Sequence, residues 1–272
     1  MELPYRDRWV FITGAGMLGR IGATCALYFA ERGANIYLHE VRATGDAGRA
    51  LDAVLERARL SGGTAELVVG DLTEPSIVAG LFSSMRPLPD IVINNAGVFR
   101  PARVGLDQPL HEYLAAHNDA LTKNVDGNMR TALLVTEAAV YAWKHRGMRG
   151  TVVFEGDAFI ERSGSYPRNL AAYTSSKAFI PSVVHQLAEQ HGRDGIRFLG
   201  VLNGTIEPPQ TASAATIEHM RTEIPLPKEE LLPWIGAERV AEAIDRLMGM
   251  RAVNGTTLTV DGGRTWTTKE EF

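Results

Sequence analysis

The chain has 272 residues, of which 45% are hydrophobic and 22% are charged, and its net charge is −4. This composition is typical of a globular protein with one large core, and it contains no basic cluster of the kind that binds nucleic acid. No apolar stretch is long enough to span a membrane, and the first residues, MELPYRDRW, lack a signal-peptide pattern, so we expect a cytoplasmic protein. A single cysteine, Cys25, excludes an intramolecular disulfide.

Strand-like and helix-like segments alternate along the chain. Short runs of β-branched and apolar residues predict seven strands, at 9–13, 34–40, 65–71, 90–97, 151–154, 196–204 and 256–263. Helical patterns separate most of these runs. The alternation predicts an α/β fold, a doubly wound parallel sheet of about seven strands with helices on both faces. No linker or repeat interrupts it, so residues 1–272 are interpreted as a single domain.

Two segments without a clear periodicity, 98–118 and 205–233, are predicted to be loops. Each follows a predicted strand. Ligands of open parallel sheets bind beyond the carboxyl ends of the strands, so we expect these loops to shape a substrate pocket.

A glycine-rich segment, Gly14-Ala15-Gly16-Met17-Leu18-Gly19, lies between the first strand and the first helix. This G-x-G-x-x-G pattern in a strand–turn–helix context is typical of Rossmann-type dinucleotide binding. Glycines permit a tight turn and a close approach of the backbone to a pyrophosphate. The predicted cofactor contacts here are Gly14, Gly16, Met17, Leu18 and Gly19.

The ends of the second and third strands carry acidic residues. Glu40 follows Gly19 by 21 residues, where a carboxylate can accept hydrogen bonds from the adenosine ribose of NAD and repel the 2′-phosphate of NADP. We therefore predict NAD rather than NADP, although Arg42 could favour NADP. Asp71 and Leu72 are predicted beside the adenine, with a helix-capping role for Asp71 as the alternative.

Three further motifs identify a family. They are Asn94-Asn95-Ala96-Gly97 at the fourth strand, Tyr173-Thr174-Ser175-Ser176-Lys177 after the fifth, and TTLTVDGG near the end of the chain. Together, and in this order, they resemble the short-chain dehydrogenase/reductase family in its standard-length branch. The resemblance extends from Trp9 to Gly263 and implies cofactor contacts from Asn95, Ala96 and Gly97.

The Tyr–Lys pair has a chemical interpretation of its own. Tyr173 and Lys177 are four residues apart, so they share one face of a helix. A nearby ammonium group favours the phenolate, so we expect Lys177 to lower the pKa of Tyr173 from its ordinary value of about 10. Tyr173 could then exchange a proton with an alcohol or ketone. The resemblance implies that Lys177 also binds the nicotinamide ribose.

The family also places an asparagine on the preceding long helix, where it holds a proton-relay water. Counting back from LLVTEAA favours Asn128 for this role. Asn124, in Asn124-Val125-Asp126-Gly127, is the alternative because it matches the family's usual wording.

The chain departs from the family pattern in its glycine segment and its sixth strand. The glycine segment is one residue shorter than the usual forms. After the sixth strand, Asn203 replaces the usual proline, and Pro208 stands where a threonine would contact the nicotinamide amide. Ile206 can still offer its backbone to that amide, and Thr205 or Thr211 could supply the missing hydroxyl.

The fifth strand departs most, because Asp157 replaces the serine that hydrogen-bonds the reacting oxygen in the family. An ionised aspartate can only accept hydrogen bonds and would repel a developing oxyanion. Three interpretations remain open: Asp157 orients an alcohol or amine, it stays protonated beside Glu155 and donates as serine would, or the site is catalytically weak. Ser163 or Ser165 could also supply the hydroxyl.

The predicted function is therefore an NAD-dependent dehydrogenase that oxidises a secondary alcohol, or reduces the matching ketone. Its predicted catalytic residues are Asn128, Asp157, Tyr173 and Lys177. The alternative is an NAD(H)-binding sensor with little turnover. We expect no metal, nucleic acid or membrane partner, and the resemblance implies a homodimer or homotetramer.

Overall fold

A computed structural model describes residues 3–102, 105, 107–161, 170–206 and 235–262 of the chain. Seven strands lie within these ranges: β1 Trp9–Ile12, β2 Asn35–Glu40, β3 Ala65–Val69, β4 Ile91–Asn94, β5 Gly150–Asp157, β6 Ile196–Asn203 and β7 Thr256–Val260. They form one sheet in the order β3-β2-β1-β4-β5-β6-β7, and every neighbouring pair is parallel. The predicted α/β doubly wound sheet is confirmed.

Eight α-helices lie within the described ranges: α1 Ile21–Glu31, α2 Gly45–Leu60, α3 Pro75–Ser84, α4 Leu110–Asn124, α5 Thr131–His145, α6 Ala171–Lys177, α7 Ile180–His191 and α8 Ala237–Gly249. A π-helical segment, Val125–Arg130, joins α4 to α5. Helices α1, α2 and α8 pack on one face of the sheet, through residues such as Phe29, Val54 and Ile244. Helices α3, α5 and α7 pack on the other face, through residues such as Phe82, Trp143 and Val184.

The inner strands are buried on both faces because parallel crossovers place helices over each side, while the edge strands β3 and β7 are partly exposed. Strand β5 lies inside the sheet, between β4 and β6, and only Thr151 and Asp157 of its eight residues are not buried. The register pairs Asn94 with Phe154 and Asp157 with Asn203. The carboxyl ends of β4, β5 and β6 therefore meet at one edge of the sheet.

The first predicted loop, 98–118, is wrong in its second half, because helix α4 begins at Leu110. Three leucines of this helix, Leu110, Leu114 and Leu121, are exposed, and only Ala120 and Asn124 are buried. An apolar stripe facing the core, the usual sequence signal for a helix, is therefore absent. Of the second predicted loop, 205–233, only Thr205 and Ile206 lie within the described residues.

Candidate active site

The glycine turn after β1 is held against the end of β4 by a network of hydrogen bonds. The Thr13 hydroxyl accepts from the backbone N–H groups of Asn95 and Ala96, at 3.0 and 2.9 Å. In return, the Asn95 amide donates to the carbonyl oxygens of Thr13 and Gly14, at 2.8 and 2.9 Å. The two predicted cofactor segments, at β1 and β4, therefore form one rigid unit.

A buried histidine connects the glycine turn to β2 and β3. The Gly14 N–H donates to His39 Nδ1 at 3.2 Å, and His39 Nε2 donates to the Gly70 carbonyl oxygen at 2.9 Å. The His39 carbonyl accepts from the Ala15 N–H at 2.8 Å. Both ring nitrogens are engaged as in a neutral imidazole, and burial lowers the pKa of His39. His39 was not among the predicted site residues, although a histidine next to a strand end in a buried run is unusual.

Two glycines of this turn, Gly14 and Gly16, lie where side chains would not fit. A Cβ on Gly14 would lie 2.8 Å from Ala96 Cα, and one on Gly16 would lie 2.5 Å from Glu40 Oε2. Gly14 and Gly19 also have positive φ angles of 64° and 76°. Met17 and Leu18 are 50% and 43% exposed at the rim of the turn. The turn thus presents open backbone beside the Glu40 carboxylate, which fits a dinucleotide with its pyrophosphate on the glycines.

The two acids at the strand ends, Glu40 and Asp71, have different hydrogen-bond partners. Glu40 Oε1 accepts from the Val41 N–H at 2.8 Å, which holds the carboxylate at the glycine turn, while Arg42 is exposed. Asp71 Oδ1 accepts from the N–H and hydroxyl of Thr73, and these bonds lower the pKa of Asp71. Leu72 is buried. Asp71 thus stabilises the turn before α3, a role close to the helix-capping role named as its alternative. Its contact with adenine stays a prediction.

Asp157 contacts the predicted catalytic tyrosine directly. The Tyr173 hydroxyl donates to Asp157 Oδ2 at 2.9 Å, and Asp157 Oδ1 accepts from the Phe159 N–H at 2.9 Å. The second bond lies in the 3₁₀ turn, Ala158–Glu161, that follows β5, so it fixes the plane of the carboxylate. Phe99 packs edge-on against the Tyr173 ring, with centroids 4.9 Å apart. Ser163 and Ser165 lie outside the described residues.

Lys177 is paired with a second carboxylate, Glu155, which was predicted only as a neighbour of Asp157. Its ammonium donates to the Glu155 carbonyl oxygen at 3.2 Å and to Glu155 Oε2 at 3.4 Å. The two side chains are only 7% and 9% exposed, so this is a buried ion pair. Burial raises the pKa of Glu155, and the ammonium group of Lys177 opposes that rise.

The expectation that Lys177 lowers the pKa of Tyr173 is wrong in this arrangement. The pKa of Tyr173 is raised well above its ordinary value, first by burial and then by the negative charges of Asp157 and Glu155. The hydrogen bond to Asp157 acts in the same direction because it stabilises the protonated phenol. Lys177 cannot offset these effects, since its ammonium is committed to Glu155. Tyr173 is therefore a phenol whose proton points at a carboxylate.

Asn128 lies in the π-helical segment and connects three parts of the site. Its Oδ1 accepts from the Val98 N–H at 2.7 Å, and its Nδ2 donates to the Val98 carbonyl and to Ser176 Oγ at 3.0 and 2.8 Å. A Cβ on Gly97 would lie 2.7 Å from Asn128 Oδ1 and 3.4 Å from Lys177 Nζ. Asn128 is therefore adjacent to the helix that carries Tyr173 and Lys177.

Asn124, four residues before Asn128, makes the same kind of clamp. Its side chain pairs with the N–H and carbonyl of Arg100, at 3.1 and 2.7 Å. Its contacts are with Arg100 and Ala120, so it stabilises the segment after β4. The contact with Ser176 favours Asn128 for the predicted relay role, which stays a prediction.

The end of β6 carries an incompletely satisfied amide. Asn203 Nδ2 donates to the Gly204 carbonyl at 3.0 Å, while Asn203 Oδ1 is buried and has no hydrogen-bond partner among the described residues. Ile206 forms an isolated parallel bridge with Ile235, whose N–H donates to the Thr205 carbonyl. A buried acceptor of this kind fits a ligand donor such as a carboxamide N–H. Thr211 lies outside the described residues.

Comparison with known proteins identifies the relatives of this chain. Residues 14–265 match the family model described as enoyl-(acyl carrier protein) reductase. A glucose 1-dehydrogenase of Gluconobacter oxydans (strain 621H) is 29% identical, with 97% of this chain and 96% of that protein covered. An L-rhamnose 1-dehydrogenase (NAD(P)(+)) of Azotobacter vinelandii (strain DJ / ATCC BAA-1303) is 27% identical, with 94% and 96% covered.

Solved structures share the fold. A gluconate 5-dehydrogenase from Burkholderia cenocepacia J2315, solved in complex with NADP and tartrate, superposes with a TM-score of 0.76 at 23% identity, with 98% of each chain covered. A short-chain type dehydrogenase/reductase from Mycobacterium marinum gives a TM-score of 0.76 at 24% identity, again with 98% of each chain covered. Within the described ranges, no helix is both long and apolar enough to cross a membrane.

Proposed function

Because the chain belongs to the short-chain dehydrogenase/reductase family and is a nicotinamide-dependent oxidoreductase acting on CH–OH groups, we propose that it is an NAD-dependent dehydrogenase of a secondary alcohol. The observation that carries the proposal is the placement of Tyr173 and Lys177. Both side chains meet the carboxyl end of β5 and lie on the same sheet edge as the glycine turn. A proton-exchanging group at that edge is what oxidation of an alcohol requires.

The nicotinamide cofactor supplies a hydride acceptor at C4 when it is bound. The residues that would hold it are those of the glycine turn, Glu40, the Asn95–Gly97 segment, Lys177 and the backbone of Ile206. Tyr173 would hold the substrate oxygen and exchange its proton. Asn128 would hold the proton-relay water, and its contacts with Val98 and Ser176 would keep the segment after β4 against the helix of Tyr173.

The preference for NAD over NADP rests on Glu40. Its carboxylate lies against the glycine turn, and a 2′-phosphate near it would meet like charge. The relatives include a dehydrogenase described as using NAD(P)(+) and a structure with NADP, so the family as a whole tolerates both. We therefore propose titration of both cofactors. Glu40→Ala should reduce the ratio of the affinities for NAD and NADP by roughly tenfold, whereas Arg42→Ala should change this ratio little.

Turnover is tested with a panel of secondary alcohols under NAD, starting with aldoses because glucose and rhamnose dehydrogenases are among the relatives. Tyr173→Phe should lower kcat by about 10²–10⁴-fold with little change in cofactor affinity. Tyr141→Phe, at a position of helix α5 that is 67% exposed, is the matched control and should leave kcat unchanged. Binding of cofactor without turnover of any alcohol would support the sensor hypothesis instead.

We propose that the protein is a homodimer or homotetramer. Leu110, Leu114 and Leu121 are 71%, 56% and 44% exposed, and their spacing aligns them on one face of α4. Light scattering after size exclusion should give a multiple of the 29.6 kDa chain mass. A Leu114→Lys variant should shift the measured mass toward that of the monomer. The cytoplasmic location stays a prediction.

A further inference from the structure

The hydrogen bond between Tyr173 and Asp157 assigns Asp157 a role other than orienting the substrate. We propose that Asp157 is the proton acceptor of the reaction and works through Tyr173, so that the pair replaces the tyrosinate base of the family. The proposal rests on the dehydrogenase function proposed above. It differs from the sequence prediction, in which Asp157 contacts the substrate itself.

The geometry supports a transfer between the two side chains. Tyr173 donates its hydroxyl proton to Asp157 Oδ2 at 2.9 Å, an ordinary hydrogen-bond length for proton transfer. With that proton directed at Asp157, the phenol oxygen keeps a lone pair that can accept a hydrogen bond from an alcohol. The Phe159 N–H fixes the other carboxylate oxygen, so Oδ2 stays aimed at the phenol.

The charges around Tyr173 disfavour a free tyrosinate. Two carboxylates, Asp157 and Glu155, raise its pKa together with burial, and the ammonium group of Lys177 is paired with Glu155. Storing the proton on Asp157 removes the need for a phenolate. Asp157 is only partly buried, so we expect its stored proton to be released to solvent.

The step balances as follows for alcohol oxidation. The carbinol hydrogen leaves with its electron pair as hydride to the nicotinamide, and the carbon–oxygen bond becomes a carbonyl. The hydroxyl proton of the substrate moves to the Tyr173 oxygen as the Tyr173 proton moves to Asp157 Oδ2. Tyr173 ends as a neutral phenol, and Asp157 ends as a neutral carboxylic acid. Ketone reduction runs the same transfers in reverse.

The pH profile of kcat/KM for alcohol oxidation tests the proposal. If the proton goes to a carboxylate, the wild-type value should vary less than about threefold between pH 7 and pH 9.5, because a carboxyl group is already ionised there. Asp157→Ser restores the serine of the family and returns the base role to the phenol. Its kcat/KM should rise roughly tenfold per pH unit over the same range. A wild-type profile that rises as steeply as that of Asp157→Ser would overturn the proposal.

Asp157→Asn separates proton acceptance from hydrogen bonding. The amide oxygen can still accept the Tyr173 hydrogen bond but cannot keep its proton, so kcat should fall by about 10²–10⁴-fold at pH 7.5. Exposed Asp52 on α2 is the matched control, and Asp52→Asn should retain wild-type kcat. Equal kcat for Asp157→Asn and the wild type would overturn the proposal.

A cofactor-free readout follows from the same pair. Ultraviolet absorbance follows ionisation of the phenol, and the difference between each protein and the same protein carrying Tyr173→Phe isolates the signal of Tyr173. Tyr173 should ionise at lower pH in Asp157→Ser than in the wild type. An unchanged titration would show that Asp157 does not control the Tyr173 proton and would overturn the proposal. Failure of every alcohol to turn over refutes the dehydrogenase function and the relay with it. If alcohols turn over but the wild-type kcat/KM rises steeply with pH between pH 7 and pH 9.5, only the relay through Asp157 is refuted.

Discussion

Lys177 and Glu155 form a buried ion pair whose two members should respond very differently to removal of their charge. Their Nζ and Oε2 atoms are 3.4 Å apart, and the side chains are 7% and 9% exposed. At an effective dielectric constant of about 20, the attraction at that distance is about 5 kcal/mol. Desolvation costs several kcal/mol for each ion. The raised pKa of Glu155 indicates that burial outweighs the attraction for this carboxylate.

Unequal penalties follow for the two single variants. Glu155→Gln leaves the Lys177 ammonium without its counter-charge but keeps an amide oxygen that can accept a hydrogen bond from it. The free energy of unfolding should therefore fall by about 1–3 kcal/mol at pH 7.5. Lys177→Met leaves a buried carboxylate without its cation and should cost about 3–5 kcal/mol. The double variant should regain most of that loss, because no buried charge remains.

The Lys177→Met penalty should depend on pH with a definite sign. Without the ammonium, Glu155 has a folded-state pKa further above its unfolded value, so the folded protein binds the proton more tightly. The stability contributed by that proton is present at low pH and lost as pH rises through the folded pKa. The deficit should therefore be smaller at pH 5.5 than at pH 8. Urea unfolding at a fixed protein concentration measures it.

Lys123→Met is the control for loss of a lysine, since Lys123 pairs with Asp119 on the exposed face of α4. It should cost less than about 1 kcal/mol at either pH. If Lys177→Met costs no more than this control, or if the double variant is no more stable than Lys177→Met, the argument for a buried pair is refuted.

Two further predictions concern the cofactor turn and the site interior. His39 is neutral in the fold, and burial lowers its pKa. The wild type should therefore lose up to roughly 1.4 kcal/mol of stability per pH unit as the pH falls below about 6.5, and His39→Gln should lose less. Thermal unfolding at pH 7 and pH 5 measures this difference. Gly97→Ala would place a Cβ 2.7 Å from Asn128 Oδ1 and 3.4 Å from Lys177 Nζ. Steady-state kcat should therefore fall by about 10²-fold. Gly80→Ala, which has open space around it, is the control and should not change kcat.

The strands and the cofactor turn were predictable because their signals are local. A buried parallel strand needs a short run of β-branched and apolar residues, and all seven such runs became strands. The G-x-G-x-x-G pattern after the first run is equally local. Strand ends were less certain: β5 extends through Asp157 instead of ending at Phe154, because β6 continues to pair with it up to Asn203.

Contacts between distant residues were not predictable from the sequence. The partner of Lys177 lies 22 residues away, in a strand on the other side of the segment 162–169. Burial decides this pairing, because a lysine that cannot reach solvent must find a carboxylate nearby. Helix α4 was not predicted because its three leucines face outward and only Ala120 and Asn124 are buried, so its sequence lacks an apolar stripe toward the core.

The spacing of Glu155, Gly156 and Asp157 matches the spacing of the helix that faces them. Residues i and i+2 of a strand lie on one face about 6.6 Å apart, and residues i and i+4 of a helix lie on one face about 6 Å apart. Glu155 and Asp157 can therefore meet Lys177 and Tyr173 respectively, each carboxylate facing one proton donor. Gly156 points to the opposite face, where a Cβ would lie 2.5 Å from Leu202 Cδ2 and 2.9 Å from Ile180 Cδ1. The glycine lets the core close behind the two acids, so the three residues together set the charge at the end of β5.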